Sequence, residues 1–124
     1  MNKKIMVVDD EPDILSTVGQ MLELNGYEVI KASDGKDCIN KLYKLSINPD
    51  LIVLDIMMPD VSGWDLAAKL KENTKFKDIP IVFLTAKGDP MSVSMGGLTA
   101  MDYIVKPFDV KDLIVRIKKI LKET

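Results

Sequence analysis

The chain has 124 residues, 47% hydrophobic and 29% charged, and its 17 basic and 19 acidic side chains leave a net charge of −2. That length fits one domain (1–124), able to bury about two-thirds of its unfolded surface without disulfide or metal staples. The near-balance of charge excludes a nucleic-acid or membrane-surface binder working through bulk charge. Histidine is absent and Cys38 is the single cysteine, which removes histidine-based acid–base catalysis, His-containing zinc sites, the Ser-His-Asp triad and any intramolecular disulfide.

In chain order, the basic opening Met1-Asn2-Lys3-Lys4 leads into the apolar run Ile5-Met6-Val7-Val8. The run is too short for a signal peptide or a membrane span and reads as a strand covered on both faces. Asp9-Asp10-Glu11 follows it. Pro12 in the opening turn, then Ile14, Leu15, Val18, Met21 and Leu22, predict a first helix. The mixed stretch Tyr27-Glu28-Val29-Ile30-Lys31-Ala32 suits an edge strand, and Ile39, Leu42 and Tyr43 mark a second helix after Ser33-Asp34-Gly35. Leu51-Ile52-Val53-Leu54 is a second buried run, ended by Asp55. The box-like Ser62-Gly63-Trp64-Asp65 opens a third helix through Leu66, Ala67 and Leu70, with Trp64 expected to be partly buried at the rim of a site. Ile81-Val82-Phe83-Leu84 is a strand ended by Thr85, and 89–99 is expected to form a short helix with Met91 and Met95 on its packed face. Tyr103-Ile104-Val105 is the last strand, followed by Lys106-Pro107. Val110, Leu113, Ile114, Ile117, Ile120 and Leu121 line one face of a final helix.

Strand and helix thus alternate five times, which with right-handed crossovers predicts an α/β fold with a parallel sheet between helices. In such a sheet every strand ends on the same edge, where sites form. Asp9, Asp10, Asp55, Thr85 and Lys106 should therefore converge. The three ionised carboxylates are costly to hold together unless a cation enters, and one divalent ion with Lys106 balances them. The donors are hard oxygens, so Mg2+ or Mn2+ is the expected guest. Asp55 can then act as a nucleophile toward phosphorus, with Lys106 and the metal stabilising the transferring oxygens.

Ile5 through Asp10, Asp55-Ile56-Met57-Met58-Pro59-Asp60-Val61-Ser62-Gly63, Thr85-Ala86 and Lys106-Pro107-Phe108 resemble the CheY-like receiver domain of two-component response regulators over essentially the whole chain. The resemblance implies a flavodoxin-like (βα)5 three-layer sandwich with strand order 2-1-3-4-5. It implies that Asp55 is the phosphoacceptor and that Asp10 and Asp55 bind Mg2+ directly. Asp9 would assist, and the backbone carbonyl of Met57 would complete the protein ligands. Thr85 would hydrogen-bond the phosphoryl group, Lys106 would pair with it, and the Lys106-Pro107 bond would be cis. Tyr103 stands at the aromatic switch position, although an aromatic on a strand also suits plain packing. The output face would comprise the segment from Pro90, the fifth strand and the last helix. Met57 and Lys87 would tune how fast water reaches the acyl phosphate. The interval between Thr85 and Lys106 is a little short, and Thr99-Ala100-Met101-Asp102 stands where the family often has a glycine before an acidic pair.

The expected partners are a sensor histidine kinase as phosphodonor and a downstream effector protein or domain, with no direct nucleic-acid or membrane contact. The chain would be a monomer or a phosphorylation-dependent dimer in the cytoplasm. It would be a signalling domain with intrinsic autophosphorylation and autodephosphorylation, not a metabolic enzyme. Its alternatives are a phosphorylation-independent binding module and a flavin mononucleotide protein of similar sheet order, the latter disfavoured because Asp9-Asp10-Glu11 would repel a phosphate. A haloacid-dehalogenase-like phosphatase is disfavoured because Met57 replaces its second Asp and no residues remain for a cap.

Overall fold

Four apolar runs and one mixed run do become the strands of a single sheet. The computed structural model describes residues 2–86 and 101–122. The elements are β1 (Lys4–Val8), α1 (Pro12–Leu24), β2 (Glu28–Ala32), α2 (Gly35–Ile39) continued by a π-helical segment (Asn40–Lys44), β3 (Leu51–Asp55), α3 (Gly63–Lys71), β4 (Ile81–Ala86), β5 (Met101–Lys106) and α4 (Val110–Ile120). The five strands lie in the order β2-β1-β3-β4-β5, with every neighbouring pair parallel. The expected short helix at 89–99, with Met91 and Met95, lies outside the described residues, as does Lys87.

The sheet is the middle layer between two cores. One contains Met6, Val8, Ile52, Leu54 and Phe83 with Leu42, Trp64, Leu66 and Leu70. The other contains Ile5, Val7, Val53, Val82 and Leu84 with Val18, Leu22, Leu113 and Ile117. Successive residues of a strand point to opposite faces, so these continuous apolar runs serve both layers. β2 is an edge strand whose Glu28 and Lys31 are exposed.

Local chemistry sets the helix ends. Pro12 opens α1 at a position that needs no N–H donor, and the Ser62 hydroxyl accepts from the Asp65 N–H at 3.1 Å to cap α3. Two expectations change. The second helix does not run evenly through Tyr43: beyond Ile39 it widens into the π segment, with Leu45 N–H donating to the Asn40 carbonyl at 3.2 Å. The wider turn keeps Leu42 buried and leaves Tyr43 38% exposed, set against the Phe76 ring at 5.1 Å. Trp64 is buried, not at a rim, because its ring packs 4.4 Å from Phe83 and 5.9 Å from Tyr103. Cys38 is a core residue whose thiol burial pushes up to about 12, so at neutral pH it is an inert thiol. No helix among the described residues is long and apolar enough to cross a membrane.

Candidate functional site

Sheet register brings the strand ends together. Val8 pairs with Leu54, which sets Asp9 beside Asp55. Asp55 pairs with Leu84, one residue before Thr85, and Ala86 pairs with Lys106. Carboxylate oxygens of Asp9, Asp10 and Asp55 lie within 4.8 Å of one another. Asp9 is fully buried, Asp55 and Thr85 are 4% and 5% exposed, and Asp10 is exposed. The pocket thus has one open side.

Lys106 Nζ reaches across the edge to Asp9 Oδ2 at 3.1 Å, Glu11 Oε1 at 3.3 Å and Asp55 Oδ1 at 3.6 Å. Its partial burial works against the ammonium, but Asp9 above all, then Asp55 and Glu11, raise its pKa above the ordinary lysine value. Burial raises the Asp9 carboxyl, against the Glu11 N–H that donates to its Oδ1 at 2.9 Å and against Lys106. Asp55 is pushed up to about 7 by burial first and by the Asp9 charge second, with Lys106 pulling the other way. Asp9 Oδ2 lies within ion-pair distance of Lys106 but off hydrogen-bond geometry, and among the described residues it has no hydrogen-bond partner. The only cation facing that buried oxygen among the described residues is Lys106, which is shared with Glu11 and Asp55, and a divalent cation among the three carboxylates would supply the charge that one lysine cannot. The donor set is all oxygen, and these residues fit a hard cation.

Asp9, Asp10, Asp55, Thr85 and Lys106 are therefore brought to one edge, as expected. Met57 lies on the loop beside them, its N–H 3.4 Å from Asp55 Oδ1 and the residue 57% exposed. The Lys106-Pro107 peptide is cis. Tyr103 is half-buried, stacked on Phe83 at 5.7 Å and 19°. Glu11 carried no individual role in the sequence, yet it is a partner of Lys106; its place in the acidic run was the only signal. Asp60 was also missed. Its carboxylate accepts from Gly35 N–H at 3.2 Å and Lys36 N–H at 3.0 Å, contacts that no spacing rule announces.

Residues 5–118 match the response regulator receiver domain family, and the chain belongs to that family. It is 41% identical over its whole length to the alkaline phosphatase synthesis transcriptional regulatory protein PhoP of Bacillus subtilis, covering 50% of that protein. It is 39% identical to the phosphate regulon transcriptional regulatory protein PhoB of Pseudomonas aeruginosa, covering all of this chain and 54% of that one. The chain thus spans about half the length of the curated relatives it matches. Among solved structures, a response regulator from Chloroflexus aurantiacus superposes with a TM-score of 0.85 at 30% identity, covering 99% of this chain and 100% of that one. The chemotaxis response regulator CheY4 of Vibrio cholerae gives 0.85 at 28% identity, covering 97% and 99%. The fold is the flavodoxin-like arrangement of that neighbour, and the chain is a receiver domain of the two-component response-regulator kind.

Proposed function

We propose that Asp55 accepts a phosphoryl group from the phosphohistidine of a sensor histidine kinase, at a site where Asp9, Asp10, Asp55 and the Met57 carbonyl hold Mg2+, or Mn2+ in its place. The observation that carries this reading is the convergence of three carboxylates within 4.8 Å under a lysine that reaches two of them. A bound Mg2+ would neutralise charge on the carboxylates and on the transferring phosphoryl oxygens.

In the transfer step an Asp55 carboxylate oxygen attacks phosphorus, the P–N bond to the kinase imidazole breaks, and the imidazole nitrogen takes up a proton. Lys106 pairs with one phosphoryl oxygen and the Thr85 hydroxyl donates to another. Later a water attacks phosphorus as the bond to the Asp55 oxygen breaks: Asp55 leaves as its carboxylate, and the inorganic phosphate keeps the water's oxygen and one of its protons while the other passes to solvent. The chain therefore catalyses its own phosphorylation and dephosphorylation, while its role is signalling. Thr85 drawn toward the phosphoryl group would free space for Tyr103 to settle deeper, and the altered edge around β5 and α4 would be read by a downstream effector protein or domain. PhoP and PhoB are named as transcriptional regulators, so control of transcription is the output we assign.

Borohydride reduction of the phosphodonor-treated protein, followed by peptide mass mapping, tests the acceptor. Reduction of an acyl phosphate at Asp55 leaves a homoserine at that position; modification at another residue, or none, would refute the assignment.

A further inference from the structure

Asp60 lies on the loop between β3 and α3, yet its carboxylate serves another element. Its two oxygens take the N–H groups of Gly35 and Lys36, at 3.2 and 3.0 Å, at the start of α2. That helix already has its own cap, since Asp34 Oδ1 accepts from the Asp37 N–H at 2.7 Å. The second carboxylate therefore fastens α2 to the loop instead of merely ending the helix. Slight burial works against the Asp60 charge, but N–H groups of Gly35, Lys36, Asp60 itself and Val61 hold the carboxyl below the usual carboxylate range.

Two glycines let the parts close up. A Cβ on Gly35 would lie 2.1 Å from Val61 Cγ1 and 3.3 Å from the Asp60 carboxylate. Gly35 is not among the positive-φ residues, so its lack of a side chain answers a need for space. At the far end of the loop Gly63 N–H donates to the Ile56 carbonyl at 2.7 Å, and a Cβ there would lie 2.4 Å from the Asp55 carbonyl oxygen. The loop is thus pinned to α2 through Asp60 and to the end of β3 through Gly63. Met57 lies in the short stretch between Ile56, whose carbonyl Gly63 holds, and Asp60.

We infer that Asp60 is a positioning residue: by docking the start of α2 onto the loop, it holds Met57 in place relative to Asp55 for metal binding. This rests on the metal reading of the site given above. Partners that orient a metal's ligands without touching the metal commonly change its affinity when removed.

The test is a Mg2+ titration followed by fluorescence of Trp64, the single tryptophan, with the Mg2+-dependent rise in melting temperature as a second readout. The proteins are wild type, Asp60→Ala, Gly35→Ala, Val61→Ala and Gly35→Ala/Val61→Ala. Asp60→Ala and Gly35→Ala should each weaken Mg2+ binding about tenfold, while the phosphorylation rate at saturating Mg2+ stays within about twofold of wild type. Removing the branched Val61 side chain should restore affinity in the double variant. Wild-type affinity in a variant whose melting temperature alone has dropped would mean that Asp60 only supports α2, and would overturn the inference. If Asp60→Ala does not fold, the Gly35 and Val61 series decides the matter by the presence or absence of rescue. A wild-type chain with no Mg2+ response would bring down the metal reading itself, which separates that failure from this one.

Discussion

At the scale of single residues the site is held in tension. Asp9 and Asp55 are buried side by side, and the one cation among the described residues within ion-pair reach of both, Lys106, is shared with Glu11. With burial pushing its folded pKa up to about 7 from the ordinary carboxylate value of 3.8, Asp55 binds a proton more tightly in the folded state than in the unfolded one. Stability attached to this group is therefore full below the unfolded value and is lost as pH rises through the folded one. Without metal, the melting temperature should fall between pH 4 and 7 on account of Asp55. Added Mg2+ should raise it more at pH 8 than at pH 5, because it competes with the proton. A Mg2+ effect equal at both values, by calorimetry, would contradict this. The residues of the site were legible because a strand's last residue is fixed by the end of an apolar run, and each of Asp9, Asp55, Thr85 and Lys106 stands at such a place. Asp60 and Glu11 were not legible, since their roles depend on which distant group the fold brings to them.

At the scale of elements, tight turns carry the precision. Gly63 touches the Asp55 and Ile56 backbone, so Gly63→Ala must push α3 away from the end of β3. It should slow phosphorylation more than it lowers helix content, as rates beside far-UV circular dichroism would reveal. Ser62→Ala removes only the hydroxyl that accepts from the Asp65 N–H. It should cost about 1 kcal/mol in denaturant unfolding with the phosphorylation rate little changed. The Ser62 cap and the Pro12 start were readable from local sequence, because capping is a matter of neighbours. The π segment was not. Ile39, Leu42 and Tyr43 fit an α-helical face as a pattern, and only packing decides that Leu42 goes in while Tyr43 meets Phe76 at the surface.

At the scale of the whole molecule, a parallel sheet clad on both faces turns residues far apart in sequence into neighbours at one edge. Phe83 is a keystone on one face, set between Trp64 and Tyr103 and fully buried. Phe83→Ala should cost about 3–5 kcal/mol, measured by urea unfolding, and should loosen Tyr103 along with the core. The alternation of strands and helices was plain in the apolar runs, whereas strand order came by resemblance, since periodicity does not say which strands adjoin. The central claim is that this edge is a metal-assisted phosphoacceptor site. Its most direct test is intact mass after incubation with a small phosphoramidate donor, with and without Mg2+, beside Asp55→Asn. The account expects one added phosphoryl group that requires both Mg2+ and Asp55. An unchanged mass under conditions that label another receiver domain, or labelling that persists in Asp55→Asn, would contradict it.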